Sequence, residues 1–497
     1  MIYFYLECDA LDNDIRSLFM AFYPGRAIKR IETKEYACAD GDLFLRVCMS
    51  DCAETQCLAN EDNTKKKMTM ELVQDGTLLD DACECELSDR KDTKTKAKCM
   101  LYCLLSKLTK KELPWGTLTG IRPTKIARTM LMEGASDEEC IDYMKNQMLC
   151  GEEKTMLSLD IAKREIKLLD CLDYEDGYSL YVGIAFCPTT CAYCSFTSYP
   201  VSRFGDRVDA YLDSIEKEID YVAEAFKDKK LNTIYIGGGT PTTLEPEQLE
   251  RLLSKIENSF NLSFLQEWTV EAGRPDSITR EKLKAIKSHP VTRISINPQT
   301  MKDETLELIG RRHTVLQVKE AFLLAREEGF DNINMDIIVG LPQETKEDVE
   351  NTLEEIKKLG PDNLTVHSLA IKRAARLNTQ KEEYAGMKSV NSESTMELTQ
   401  DAAEEMGMKP YYLYRQKNMT GNMENVGYAK PGKEGIYNIL IMEEMQTIVA
   451  LGAGAITKAV YPNGRIERCE NVKDIKTYLE KTDEMIERKK RLFADWK

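Results

Sequence analysis

A chain of 497 residues is too long for one ordinary core, so two or three domains are expected. A composition of 42% hydrophobic and 31% charged residues is that of a folded globular protein, neither disordered nor membrane-embedded. A net charge of −16 argues against a general nucleic-acid role, and any polyanionic ligand must then be met by local Arg or Lys.

The first ten residues, M-I-Y-F-Y-L-E-C-D-A, are apolar then acidic, with no basic start and no A-x-A site, so they read as a first strand rather than a signal peptide. No stretch approaches ~18 uninterrupted apolar residues, so no membrane span is expected. Cysteines without a secretory signal point to a reducing cytoplasm. Up to about residue 90, M-I-Y-F-Y-L, D-L-F-L-R-V-C and M-T-M-E-L-V-Q predict the strands of a small α+β unit. The charged run Ser88 to Lys98 is a linker or the first turns of the next helix. Residues 99 to about 172 read as helical. Eleven of the 16 cysteines lie in the first 150 residues. Cys48, Cys52 and Cys57, with Cys83 and Cys85 or with Cys99 and Cys103, are either an extra metal site or buried free thiols, and their spacing favours the thiols. In W-G-T-L-T-G-I-R-P-T-K, Arg122 and Lys125 flank a proline suited to starting a helix. They form either a clamp for a carboxylate or a plain loop-to-helix junction.

From about residue 178 strands and helices alternate. Predicted strands are Leu180 to Ala185, Thr233 to Ile236, Trp268 to Glu271, Arg293 to Ile296, Ile333 to Val339 and Leu364 to His367. Helices such as Val208 to Phe226, Gln248 to Phe260 and Val315 to Glu328 fill the gaps. Six β-α units in series imply a parallel sheet with helices outside and ligands at the carboxyl ends of the strands. The run G-I-A-F-C-P-T-T-C-A-Y-C-S-F places Cys187, Cys191 and Cys194 directly after the first of these strands. Three thiolates so close can hold an iron–sulfur cubane with one iron left open. A zinc site lacking its fourth ligand and chance clustering remain the alternatives. Gly237 to Thr240 is a glycine turn at the next strand end, where backbone can approach a ligand closely. Glu271 ends the third strand, and its carboxylate can accept hydrogen bonds from an ammonium or from ribose hydroxyls. After about residue 380 a helix (E-S-T-M-E-L-T-Q-D-A-A-E-E-M-G), a strand (K-P-Y-Y-L-Y-R-Q-K) and a Gly-rich segment (I-V-A-L-G-A-G-A-I-T-K) follow.

The cysteine triplet, I-Y-I-G-G-G-T-P-T, T-V-E-A, R-I-S-I-N-P-Q-T, I-G-R-R-H and N-M-D-I-I-V-G-L-P-Q-E-T stand in an order that resembles the radical S-adenosylmethionine (SAM) enzymes. Within them it resembles the oxygen-independent coproporphyrinogen III oxidase group and its HemZ branch, over roughly residues 175 to 380. The resemblance implies a partial (β/α)₆ barrel at 173–380, between an α+β then helical domain at 1–172 and an accessory domain at 381–497. It implies a [4Fe–4S] cluster on Cys187, Cys191 and Cys194, with SAM chelating the open iron. It further implies SAM contacts at Tyr181, at the backbone of Tyr193, at Gly238, Gly239 and Thr240, and at Glu271. Gln299, Arg311 and Asp336 match positions that contact a second SAM, and Ala370 matches a backbone contact. The implied reaction is oxidative decarboxylation of coproporphyrinogen III to protoporphyrinogen IX by a monomer served by a flavodoxin or ferredoxin. Arg122, Lys125, Arg373 and Arg376 are candidate propionate anchors. Two departures stand out. Gly183 and Ala185 replace the His and Pro of the oxidases' Y-x-H-x-P-F-C run, and Phe196 replaces a fourth cysteine, as in the haem-chaperone branch. The alternatives are therefore a haem chaperone without turnover, or a radical SAM enzyme acting on haem itself.

Overall fold

A computed structural model describes the chain except residues 37–38, 52–64, 121, 373–374, 381–383, 385, 388–389, 416–418, 420, 422, 463 and 497. Arg373, Cys52 and Cys57 therefore lie outside the described residues. The chain forms two compact units, Met1–Ala162 and Lys163–Lys497.

The first unit is built on a five-stranded sheet of β1 (Ile2–Leu6), β2 (Ile28–Arg30), β3 (Leu43–Asp51), β4 (Lys65–Gln74) and β5 (Thr77–Glu86), in the order β2-β1-β3-β4-β5. β1 is parallel to β2 and β3, and β3, β4 and β5 form an antiparallel meander. Alternation in β1 buries Ile2, Phe4 and Leu6, which pack with Phe19, Phe22, Leu101 and Leu105 of the helices Asp12–Phe22 and Arg90–Thr109. The charged run beginning at Ser88 becomes the first turns of helix Arg90–Thr109, because the Asp89 carboxylate accepts from the N–H groups of Lys91 and Asp92 and caps it. β5 lies outside the expected strands because its side chains are mostly exposed and carry no apolar alternation. Its local signal was Asp75-Gly76, whose two positive φ angles, 49° and 77°, form the tight turn of the β4–β5 hairpin.

The second unit is organised by one eleven-stranded sheet. Its centre is a run of parallel strands: β6 (Gly177–Ile184), β9 (Lys230–Gly238), β10 (Glu267–Glu271), β11 (Arg293–Ser295), β12 (Ile333–Val339) and β13 (Asn363–Ser368). Helices including Val208–Ala225, Pro246–Ser259, Val315–Glu327 and Lys346–Leu359 connect them. This is the expected six-unit parallel arrangement, with strands such as β6 and β12 buried on both faces. The resemblance implies an accessory domain at 381–497, and strands from that stretch join the same sheet. β15 (Asn425–Ala429) pairs antiparallel with β13, and β14 (Lys409–Tyr414) pairs with β15. At the other end β16 (Thr447–Leu451) runs parallel to β6, followed by β17 (Ile456–Val460) and β18 (Ile466–Glu470). Among the described residues no helix is long and apolar enough to cross a membrane.

A buried charge network holds the Gly452 turn after β16. Lys489 and Glu218 are both fully buried, with Lys489 Nζ 2.6 Å from Glu218 Oε1 and 2.8 Å from Asn471 Oδ1. Glu218 also accepts from the Gly452 N–H at 2.8 Å and from the Tyr478 hydroxyl at 2.5 Å. The Tyr211 hydroxyl donates to Gly183 O at 2.6 Å and accepts from the Ala453 N–H at 2.9 Å, tying the same turn to β6. Removing one partner of such a pair strands the other charge in low dielectric. Lys489→Met is therefore expected to lower stability by about 3–5 kcal/mol, read from urea unfolding. A loss under about 1 kcal/mol would place the pair with ordinary surface ion pairs.

Candidate functional site

Parallel strands bring their carboxyl ends to one side, and there the second unit encloses a cavity of about 740 Å³. Cys187, Cys191 and Cys194 line it, as do Tyr181, Tyr193, Gly238, Gly239, Thr240, Glu271, Gln299, Arg311, Asp336 and Ala370.

The cysteines sit on a loop with little regular structure, held from several sides. Cys187 ends the two-residue strand β7 (Phe186–Cys187), paired with β8 (Tyr199–Pro200). The buried Ala192 donates its N–H to Ile309 O at 2.8 Å and accepts from the Leu377 N–H at 3.0 Å. The Thr189 hydroxyl donates to Gly310 O at 3.1 Å. Arg274, 3% exposed and paired with Asp276 at 2.7 Å, points Nη1 at the Thr189 hydroxyl (3.1 Å) and at Cys191 Sγ (3.8 Å). The Thr240 hydroxyl lies 3.5 Å from Cys187 Sγ. Burial pushes the Cys187 thiol up to about 11 and raises that of Cys194. Such thiols need a positive centre to ionise them, and iron provides one. Among the described residues no three His, Cys, Asp or Glu side chains converge on one metal ion. A cluster, which holds each thiolate on its own iron, fits these three loop cysteines better than a mononuclear site.

The glycine turn is tied back to the segment that leads into the cysteine loop. Gly239 N–H donates to Ile184 O at 2.6 Å and Thr240 N–H to Phe186 O at 2.7 Å, so both are committed to the segment leading into the cysteine loop. A Cβ on Gly239 would overlap the carbonyl oxygens of Ile184 and Phe186, which is why glycine is needed there.

Glu271 accepts a hydrogen bond from the Tyr235 hydroxyl. Tyr235 stacks on Tyr437 at 4.4 Å between ring centres, and Tyr181 lies parallel to both at 6.2 and 6.3 Å. In this aromatic setting burial, aided by the neighbouring Asp336, lifts the Glu271 carboxyl to about 7, although the Tyr235 hydroxyl opposes the shift. Burial acts on Asp336 in the same sense, but His367, the Asn334 amide 2.7 Å away and Arg293 outweigh it and hold that carboxyl below its usual value. Gln299 has φ +68°, a strained backbone for a non-glycine. It is fixed by Asp336 O and the Ile338 N–H, both at 2.9 Å. Its side chain is 7% exposed, and its Oε1 has no partner. Arg311 donates to the Tyr193 hydroxyl at 3.0 Å and to the carbonyls of Gly273 and Asn297 at 2.8 and 2.6 Å.

Among the nominated cations, Arg376 does not line the cavity. Arg376 donates to Thr190 O at 3.0 Å, so it braces the cysteine loop rather than facing the cavity. Arg122 and Lys125 belong to the first unit, where Pro123 caps the helix Thr124–Met132. His313 is 3% exposed and sits 4.0 Å from Asp276. Sequence reasoning missed Arg274, three residues after Glu271, although a buried arginine beside a cysteine loop is a recognisable charge complement. It also missed Arg293 and the aromatic wall of Tyr412, Tyr414 and Tyr437, which only folding of the C-terminal residues brings to the cavity.

Residues 181–356 match the Radical SAM superfamily. The chain is 44% identical over 391 residues to the oxygen-independent coproporphyrinogen-III oxidase-like protein HemZ of Bacillus subtilis, covering 76% of this chain and 77% of that one. It is 33% identical over 279 residues to the haem chaperone HemW of Lactococcus lactis, covering 56% and 68%. Among solved structures it resembles coproporphyrinogen III oxidase (HemN) of Escherichia coli, with a TM-score of 0.50, 24% identity and 64% and 72% coverage, a likeness of fold.

The raised carboxyl has a consequence for the ligand-free protein. Glu271 binds its proton more tightly folded than unfolded, so its contribution is full below the ordinary glutamate range and is lost as pH rises through about 7. Between pH 5 and 8 wild-type stability is expected to fall relative to Glu271→Gln, by at most about 1.4 kcal/mol per pH unit. Parallel unfolding curves of the two proteins across that range would refute the assignment.

Proposed function

We propose, from the premise that the chain belongs to the radical SAM family and its oxygen-independent coproporphyrinogen-III oxidase-like group, that it oxidatively decarboxylates coproporphyrinogen III to protoporphyrinogen IX. The observation that carries this reading is one cavity lined by the cysteine triplet together with Glu271, Gln299, Arg311 and Asp336. The family's cofactors are a [4Fe–4S] cluster and SAM, which when bound supply a 5′-deoxyadenosyl radical able to take a hydrogen atom. Cys187, Cys191 and Cys194 are the residues to hold the cluster, with Arg274 shielding the Cys191 sulfur. Glu271 receives a cationic or hydroxyl-bearing part of SAM, and the stacked Tyr181, Tyr235 and Tyr437 keep water from it. Each reacting propionate loses a hydrogen atom from its β-carbon to that radical, then CO₂ and one electron to a one-electron acceptor, leaving a vinyl group. Positioning of that carbon by the cavity decides which hydrogen is taken. The setting we propose is the cytoplasm, with a flavodoxin- or ferredoxin-type donor and a monomeric chain.

A second reading, haem chaperoning without turnover, is favoured by Phe196. It stands two residues past the third cysteine, is 69% exposed and lines the cavity. The HemW relatives support it too.

The deciding experiment is an anaerobic incubation of cluster-loaded protein with reductant, SAM and coproporphyrinogen III, followed by product mass. Loss of two CO₂ and four hydrogens is expected, and Cys191→Ala should abolish it together with the visible absorption of the cluster. Intact coproporphyrinogen with bound haem would select the chaperone. In a second measurement, Glu271→Ala should keep the cluster but weaken SAM binding by roughly 10-fold or more, since a hydrogen bond to a charged group is worth about 1.5–3 kcal/mol. Unchanged affinity would remove Glu271 from the SAM site.

A further inference from the structure

Arg293 opens β11, and alternation turns Arg293, Ser295 and Asn297 to the cavity. The strand register sets Arg293 beside Thr269 and Ser295 beside Glu271, so Arg293 lies about 7 Å of strand deeper than Glu271. It is 1% exposed, and its Nε and Nη2 have no hydrogen-bond partner. The carboxylates around it are already engaged. Glu267 accepts from the Thr269 hydroxyl at 2.6 Å and from the Tyr437 N–H at 3.1 Å, and Asp336 is taken by Asn334 and His367. The other arginines that line the cavity, Arg274 and Arg311, are committed to the cysteine loop and to backbone carbonyls. Lys372 and Lys473 also line it but are exposed to water, and Lys458 is paired with Glu444 at 3.0 Å. Burial works against the charge on Arg293, yet Tyr411, Glu267, Tyr235 and Asp336 favour it. A buried guanidinium with idle donors is costly, and its planar fork matches one ligand class closely, a carboxylate taken through two oxygens. Around it the cavity wall is aromatic and amide, from Tyr412, Tyr437, Asn438 and Asn334, and of the two acids that line the cavity Asp336 is engaged by Asn334 and His367 and Glu271 by the Tyr235 hydroxyl.

We propose that Arg293 is the cavity's carboxylate anchor, receiving a ligand carboxylate at the inner end of the site. For the ligand's identity this rests on the proposed function. The carboxylate has two sources, a propionate of the tetrapyrrole or the methionyl end of SAM.

The test uses cluster-loaded wild type, Arg293→Gln and Arg293→Lys, with anaerobic dissociation constants for SAM, coproporphyrin III and coproporphyrin III tetramethyl ester. Arg293→Gln is expected to weaken one acid ligand by about 10-fold or more, Arg293→Lys to restore part of that, and ester binding to stay level. A loss confined to coproporphyrin assigns the propionate, and a loss confined to SAM assigns the methionyl carboxylate. Without ligand the Gln variant should melt within about 5 °C of wild type, because Nε and Nη2 make no hydrogen bond that the substitution removes. Unchanged constants for both acids overturn the proposal. So does an equal loss for acid and ester, or a fall in ligand-free melting temperature of more than about 5 °C with affinities intact, which would mark Arg293 as structural. If Arg293→Gln does not fold, Arg293→Lys alone decides, because loss of the two-pronged geometry must still weaken the acid and spare the ester. Wild type that decarboxylates coproporphyrinogen while both variants bind normally sinks this inference and leaves the function standing. Wild type that ignores the tetrapyrrole while Arg293 governs SAM does the reverse.

Discussion

The hydrogen bonds that pin the loop from Cys187 to Cys194 are the interaction on which the second unit depends. That loop has almost no regular structure, and its three thiols are useful only if their backbone cannot drift. The hold comes from distant parts of the chain: Ile309 and Leu377 on either side of Ala192, Gly310 on Thr189, Arg376 on Thr190, and Arg274 on Thr189 and Cys191. The glycine turn belongs to the same scheme, since Gly239 and Thr240 donate to the strand that delivers Cys187. Helix and strand ends spread over more than 180 residues of sequence thus converge on one short segment, as a parallel sheet allows by gathering its carboxyl ends on one side.

Electrostatics then sort the cavity. Glu271 and Asp336 are both buried acids lining one space, but an aromatic setting drives one carboxyl up while an amide, an imidazole and an arginine draw the other down. Such a split lets two carboxyls in one site carry different protonation states at neutral pH. Arg293 and Gln299 stand out for the opposite reason. One has idle donors and the other an idle acceptor, both out of water, in a protein whose other buried arginines at the cavity are bonded.

The C-terminal residues complete the cavity as well as the sheet. Tyr412, Tyr414 and Asn425 come from β14 and β15 beyond β13, while Ala453, Ala455 and Lys458 come from the turn and strand after β16 beyond β6. The buried Lys489–Glu218 pair reaches that second edge through Gly452, so the last long helix of the chain helps set the wall of the site.

Much of this was legible in the residues alone. Strand and helix periods marked the six parallel strands, with Ile333 to Val339 placed to the residue, because buried parallel strands are continuous apolar runs. The cysteine spacing and the acid at the end of T-V-E were local signals, and the structure gathers them on one cavity. Other features depended on partners far away in sequence. β5 has no apolar face to announce it, and only pairing with β4 makes it a strand. In the Gly-rich I-V-A-L-G-A-G-A, the apolar I-V-A-L becomes part of strand β16 because β6 offers it a parallel edge. Arg376 looked like a free cation until the fold brought Thr190 to it, and Arg293 looked like the polar start of an ordinary strand. Local pattern by itself determined which segments are strands, where they end and which thiols stand together, since these follow from period and spacing. Only the tertiary structure decided which charges are spent and which remain idle, because a buried charge acquires its role from neighbours that sequence distance does not reveal.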